Sequence, residues 1–446
     1  MPAPCRNRTL AVLVPLAVVS NRFLVHVGLF YNDFVIAILA LVLLACYPLR
    51  VPRRSLLYIA ALSLFLAIHS SVTASLHPEL RTTVLFNSAR MVLCMVELVA
   101  FYTFYRNIAV EEAVAGVRRA AWVLSGSILI HFVLLNCAGE AGRSLGTWQD
   151  HELYGRDYDL QTVGFLRPRG IAMEPAFAAG YLFLMAAFLR LAEPRQKHPV
   201  SDSVFLFAAL MTGSLSMLLF LPLWAGLLFR SSRKRYALLT TAGVACATLF
   251  VALAAPSQAG MVSERARAIL QGEDLSASLR LVPMLRTVAG TLDQAPWSGF
   301  GIGQSRLAAS AGSERLALSW LPEVESERYS GVVMAEMFGD FGVPGLLAFA
   351  ALLYFCACPA AQWRRSGYWL ACILLTQNCY VYRSPQLYYW CSLGMVIGLG
   401  HRTSGWLALL GKVSQPTAST AAKDRLAPDR ALAPVPMRLP SALDWH

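Results

Sequence analysis

Two arginines and a glutamate stand at the mouth of an apolar run. The stretch reads Arg167-Pro168-Arg169-Gly170-Ile171-Ala172-Met173-Glu174-Pro175 and leads straight into the span 176–191. Charge at the edge of a membrane helix is costly unless it meets protein, water or a charged ligand. A guanidinium fork suits the phosphate of a lipid headgroup, and a nearby carboxylate can take a proton from an attacking hydroxyl. An Arg–Glu pair that only pins the helix at the interface accounts for the same residues. The local sequence leaves both readings open.

A second group of charges lies in the segment 255–330. It holds seven arginines, among them Arg280 and Arg286, no lysine, and eight acids including Glu323, Glu325 and Glu327. The segment is near neutral, which argues against a purely electrostatic anion sponge. Individual arginines can still clamp a diphosphate bidentately, while a solvated loop face explains most of them. Pro296-Trp297-Ser298-Gly299-Phe300-Gly301-Ile302-Gly303 carries glycine at three alternate positions. Such backbone can approach a ligand or a helix closely. It lacks the strand–helix setting of a dinucleotide fingerprint. Phe338-Gly339-Asp340-Phe341-Gly342-Val343-Pro344-Gly345 opens the next long span, and its glycines permit close helix packing.

No histidine occurs between residues 199 and 400. That excludes a histidine-based metal site or a Ser-His-Asp triad in the large loop. No acidic cluster has calcium-loop spacing. The ten cysteines are scattered through apolar runs without zinc spacing and read as buried thiols. No cofactor is expected, and an arginine–carboxylate mechanism remains.

These residues need elements to hold them, and composition says which. The chain is 57% hydrophobic and only 14% charged, with a mean hydropathy of +0.52. Long apolar runs without period-2 alternation are membrane helices, because backbone finds no water in a bilayer. The runs fall near 9–19, 31–48, 56–76, 84–105, 120–137, 171–191, 203–213, 215–229, 236–254, 331–357, 366–382 and 386–401. The expectation is an all-α polytopic membrane protein of about 12 spans, two of them short half-helices near 203–229. The polar break Thr212 to Ser216 divides those two. With the break, the basic clusters at Arg195–Lys197 and Arg233–Arg235 fall on one side, as positive-inside orientation requires. A single tilted helix is the competing reading.

The resulting layout is an N-terminal bundle (1–137), a periplasmic loop (138–170), membrane helices (171–254), a large periplasmic loop (255–330), C-terminal membrane helices (331–411) and a disordered cytoplasmic tail (412–446). Within the large loop, apolar residues at 279, 282, 285, 289 and 292 predict a surface helix lying on the membrane or over a cavity. Net charge is +12, but it is spread over the loops between spans. That is a topology signal, and no nucleic-acid partner is expected.

Arg167-x-x-Gly170-x-x-x-Glu174-Pro175 resembles the RxxGxxxEP stretch of bacterial exopolysaccharide and O-antigen polymerases of the Wzy type. Ser278-x-Arg280 and the glycine segment 296–303 resemble the large periplasmic loop shared by these polymerases and the O-antigen ligases. Gly339-Asp340-x-Gly342-x-x-Gly345 is similar to their ExGxxG helix start, with aspartate for glutamate. The resemblance implies a metal-independent glycosyltransferase of the bacterial inner membrane. It would move a glycan from undecaprenyl diphosphate onto an incoming lipid-linked repeat unit, alongside a flippase and a chain-length regulator. By position, Arg167 and Arg280 would bind phosphate, with Arg169 and Arg286 as further substrate-binding candidates. Glu174 would orient Arg167 or act on the acceptor, Glu327 is the other candidate catalytic carboxylate, and the base is left unassigned. Ligases carry a histidine just before the ExGxxG helix, and the corresponding stretch 325–331 has none, which favours a polymerase. A ligase-type transferase and a transporter of lipid-linked oligosaccharide are the alternatives. Arg90, Glu97 and Glu336, placed within spans, are the residues a transporter would use.

Overall fold

The computed structural model describes residues 3–19, 26–27, 30–31, 33–51, 53–139, 166–172, 175–192, 199–214, 220, 275–315, 333–357, 394 and 398. Apolar runs become helices: α1 (Ala3–Val19), α2 (Asp33–Cys46), α3 (Arg53–Leu76), α4 (Arg81–Asn107) and α5 (Val110–Asn136). After them come α6 (Pro175–Ala192), α7 (Pro199–Met211), α8 (Leu275–Gln294), α9 (Ser305–Arg315) and α10 (Val333–Ala357). Apart from one antiparallel ladder of two-residue strands, β1 (His26–Val27) and β2 (Phe30–Tyr31), the described elements are helical. Three stretches are long and apolar enough to cross a membrane: Leu56–Leu76, Pro78–Asn107 and Val110–Asn136. Leu57, Leu64, Ile68, Ile130 and Val133 are exposed on them, as lipid-facing side chains should be.

Two helix groups hold the two motif segments. In the first, α1, α6 and α7 pack on α5. In the second, α8, α9 and α10 pack together, and α10 also meets α3. All described residues lie within one compact unit, Met1–Thr403. Gly394 and Gly398 sit against the backbone of α4 near Leu98 and Tyr102, the close approach that a small-residue pair permits.

Helix α7 begins at Pro199, where a missing N–H costs nothing. It ends at Met211 after 13 residues. That length is about 20 Å, against a hydrocarbon core of roughly 30 Å. A turn at Thr212 and Gly213 follows, with Gly213 at φ +59°. Near the other end of α7, Asp202 pairs with Arg190 of α6. Counting back along both helices from that pair, Phe183 of α6 lies level with residue 209. Phe220 nevertheless stacks on Phe183, ring centroids 4.5 Å apart. A straight helix would have carried residue 220 about 16 Å beyond that level. The chain therefore turns at 212–214, where the polar break was expected. Apart from Phe220, the expected second half-helix lies outside the described residues, as do the expected spans at 236–254 and 366–382, most of the one at 386–401, and the tail 412–446.

Helix α8 covers the surface helix expected at 279–292. Its buried face carries Pro283, Thr287, Gly290 and Thr291, while Leu285 and Leu292 are exposed. Gly290 and Gly312 explain how the other face packs: a Cβ on either would overlap the backbone of the other helix. Small residues let α8 and α9 cross almost in contact, so the leucines are turned outward.

Candidate functional site

The arginine stretch is not helical. Residues 166–169 are irregular, Gly170 turns at φ +58°, and α6 starts only at Pro175. The segment runs down the side of α5, held by three polar side chains. Asn136 clamps Leu166 from both sides: its Nδ2 donates to the Leu166 carbonyl at 2.9 Å, and its Oδ1 accepts the Leu166 N–H at 2.9 Å. His131 Nδ1 accepts the N–H groups of both Arg169 and Gly170, each at 3.2 Å. Ser127 Oγ accepts from Ile171 N at 3.3 Å and donates to the Leu124 carbonyl at 2.8 Å. From Asn136 to Ser127 is nine residues, so the segment descends about 13 Å along the helix. A Cβ on Gly170 would strike Ser127 Oγ and the backbone at Ile128; the descent needs glycine there.

The two arginines follow that path inward. Arg169 is buried and Arg167 partly so. Arg167 Nε donates to the Thr212 carbonyl at 3.4 Å. That carbonyl lies at the end of α7, where the last C=O groups have no partner within the helix. The Thr212 hydroxyl donates to the Ala209 carbonyl at 2.7 Å and accepts from Ser214 N at 3.3 Å. The arginine stretch and the polar break, 45 residues apart, thus meet. Below them, Arg190 and Asp202 form a buried pair, and Arg118 of α5 acts on Asp202 electrostatically. Arg118 and Arg190 therefore join α5, α6 and α7 around Asp202.

The glycine segment lies on the start of α10, and a broken helix makes room for it. Gly342 takes φ +65° inside α10, and Pro344 has no N–H to give the Asp340 carbonyl. Val343 N donates instead to the Pro296 carbonyl at 2.8 Å. The freed carbonyls of Gly339 and Asp340 accept from Phe300 N at 2.8 Å and Gly301 N at 3.0 Å. The Asp340 carboxylate, fully buried, then caps α9. It accepts Gly303 N at 2.8 Å, Gln304 N at 3.0 Å and Ser305 N at 2.9 Å. His69 Nε2 meets the Ser298 carbonyl at 2.7 Å. The alternate glycines thus face helices: Gly299 faces α10, Gly301 faces Thr73 of α3, and Gly303 faces Asn87 of α4.

Arg280 and Arg286 both belong to α8. Six residues apart, they sit about 9 Å along the axis and roughly 120° around it, so they do not share one face. Arg286 Nε is buried without a hydrogen-bond partner. The backbone places Arg280 on α8; its side chain, Glu174 and Glu327 are outside the described residues. Glu97 and Glu336 are buried, Arg90 is partly buried, and all three interact with other groups. Among the described residues no group of three or more His, Cys, Asp or Glu is placed to hold a metal ion.

His131, Ser127 and Asn136 did not emerge from the sequence as site residues. Their signal is a polar stripe, spaced four and five residues apart, inside the otherwise apolar run 120–137. Polar groups in such a run face protein.

The sequence model of one family, described as WcaD colanic acid polymerase, matches residues 9–317. No curated protein and no solved structure matches the chain.

Proposed function

The chain belongs to the WcaD colanic acid polymerase family, and on that premise we propose that it extends a membrane-bound polysaccharide by glycosyl transfer from undecaprenyl diphosphate. The acceptor is the sugar of an incoming lipid-linked repeat unit, and the site faces the periplasm of a bacterial inner membrane. An acceptor hydroxyl oxygen bonds to the anomeric carbon of the growing chain. The bond from that carbon to the diphosphate oxygen breaks, and its electron pair leaves with undecaprenyl diphosphate. The hydroxyl proton passes to a general base, for which Glu174 and Glu327 are the candidates. Arg167 and Arg169 hold the leaving diphosphate, and Arg280 and Arg286 of α8 hold a second part of the lipid-linked substrate. Guanidinium forks stabilise the charge that develops there without requiring a metal.

The observation that carries this reading is the recessed arginine segment. A charge that only pinned a helix would stand at its exposed end. Here Arg169 is buried, and Arg167 reaches the carbonyl that ends α7. The Arg286 guanidinium, with its unpartnered Nε, is a further cation available to an anion.

Exchanging the two charges, Arg167→Glu with Glu174→Arg, tests the proposal in a strain lacking the native gene. The exchange sets a carboxylate against phosphate. It should abolish polymer at normal protein abundance and leave single lipid-linked repeats exposed on the periplasmic side. Wild-type polymer from the exchanged protein returns the residues to an anchoring role. Repeats trapped on the cytoplasmic side would instead identify a transporter.

A further inference from the structure

We propose that His131 is a positioning residue for the arginine segment, presenting Arg167 and Arg169 to diphosphate through the neutral acceptor Nδ1. The proposal rests on the diphosphate-binding role given to those arginines.

Three successive N–H groups, of Arg169, Gly170 and Ile171, are turned toward α5. Successive N–H groups around a left-handed residue form a concavity that ordinarily attracts an anion. Here neutral atoms fill it, His131 Nδ1 and Ser127 Oγ. A carboxylate in their place would satisfy the same donors but would lower the positive potential of the adjoining guanidiniums. Neutral acceptors fix the backbone and leave that potential for the ligand. His131 is the centre of the arrangement because one atom receives two donors. The geometry requires the tautomer with its proton on Nε2. A proton on Nδ1 would turn the acceptor into a donor facing two donors, and the segment would lose its central tie.

Among the described residues, the charged and titratable groups on the packed elements are Arg167 and Arg169 of the segment itself, Tyr181 and Arg190 of α6, Asp202 of α7, and Cys5, Arg6 and Arg8 of α1. Arg190 and Asp202 lie near Arg118, and Arg8 lies 3.9 Å from Glu112. Those partners precede His131 on α5 by 13 residues or more, about 20 Å. The nearest charges supplied by the segment are therefore the two cations it carries.

The test is binding of undecaprenyl diphosphate, unsugared, to the purified full-length protein in detergent from about pH 8 to about pH 5, the span over which imidazoles titrate. The probe's own titration is common to every variant, so only differences between proteins count. Asparagine keeps a side-chain acceptor but cannot be protonated in this range. His131→Asn should bind within about threefold of wild type at pH 8 and retain about tenfold more affinity than wild type at pH 5. His131→Leu, which supplies no acceptor, should bind on the order of tenfold more weakly throughout. The inference falls if His131→Asn weakens with acid as wild type does, or binds more than tenfold worse at pH 8. It also falls if His131→Leu binds normally. Arg169→Ala tests the premise separately: wild-type binding by that variant removes the diphosphate role from the segment, whatever His131 does.

Discussion

Two irregular segments of this protein lie against helices in similar ways and are fastened with opposite chemistry. The arginine segment at 166–172 is held by Asn136, His131 and Ser127, all without formal charge in the geometry observed. The glycine segment at 296–305 is held by backbone bonds to α10, by His69 at Ser298 and, where it enters α9, by a buried carboxylate, Asp340, which receives three N–H groups. Both contain glycine at positive φ. A carboxylate gives stronger hydrogen bonds and, under the glycine segment, aligns with the start of α9. Under the arginines it would compete with an anionic ligand. The difference teaches that anchor strength and site potential are separate requirements. Where a segment carries charge for a ligand, the neutral anchor preserves it; where a segment builds the frame, the stronger anchor is used.

The largest effect should come from the charged anchor. Asp340→Ala leaves three buried N–H groups without an acceptor and removes the cap of α9. A stability loss of about 3–5 kcal/mol is expected, from three lost charge-assisted bonds. Gly299→Ala belongs with it, because the new Cβ would meet the Asp340 and Phe341 backbone, which cannot move aside as a side chain can. Membrane abundance and the midpoint of thermal unfolding in detergent measure both. Normal abundance with lost polymer would reverse the comparison and make Asp340 part of the chemistry.

The contrast between the segments also separates what was legible in the sequence from what was not. The helices were legible, because a 57% apolar chain has few other ways to satisfy its backbone. The turn at 212–214 was legible from glycine and hydroxyl residues between apolar halves and from the basic clusters that flank them. The alternate glycines were legible as close approach, and the structure supplies what they approach: α3, α4 and the interrupted start of α10. That interruption could have been read from Pro344, which leaves the Asp340 carbonyl without its helical donor. The fastening of the arginines was not legible. Ser127, His131 and Asn136 are separated from 166–171 by about thirty residues or more, and nothing local pairs them with it. Helix α8 was legible from its apolar period, but that period does not say what the opposite face meets. Gly290 and Gly312 decide that question only once both helices are placed.

A smaller effect, of a different kind, is expected in the neutral anchor. Gly170→Ala forces an alanine to φ near +58° and brings its Cβ against Ser127 Oγ. Strain of about 1–3 kcal/mol is expected for such a conformation. The segment contributes less to the frame than α9 and α10 do, so abundance should fall modestly while polymer length or yield falls sharply. Comparing abundance with polymer for Gly170→Ala and Gly299→Ala sharpens the contrast. Equal loss of abundance in both would place the arginine segment in the frame as well.

The smallest predicted effect divides the Gly170 penalty into its two parts. Ser127→Ala removes the acceptor of Ile171 N and leaves Asn136 and His131 in place. A loss of roughly 1 kcal/mol is expected, the usual value of one neutral hydrogen bond. The same change clears the atom that an alanine Cβ at position 170 would strike first. Ser127→Ala with Gly170→Ala should therefore cost less than the two changes added together, by on the order of 1 kcal/mol. What remains in the double variant is the strain of positive φ together with the contact to the Ile128 backbone, which no side-chain deletion relieves. Thermal unfolding of the wild type, both single variants and the double variant completes the cycle. Strict additivity would mean that Ser127 fixes the segment by its hydrogen bond alone. In that case the conformation at Gly170 and the contact with the Ile128 backbone, not the Ser127 hydroxyl, carry the Gly170→Ala penalty.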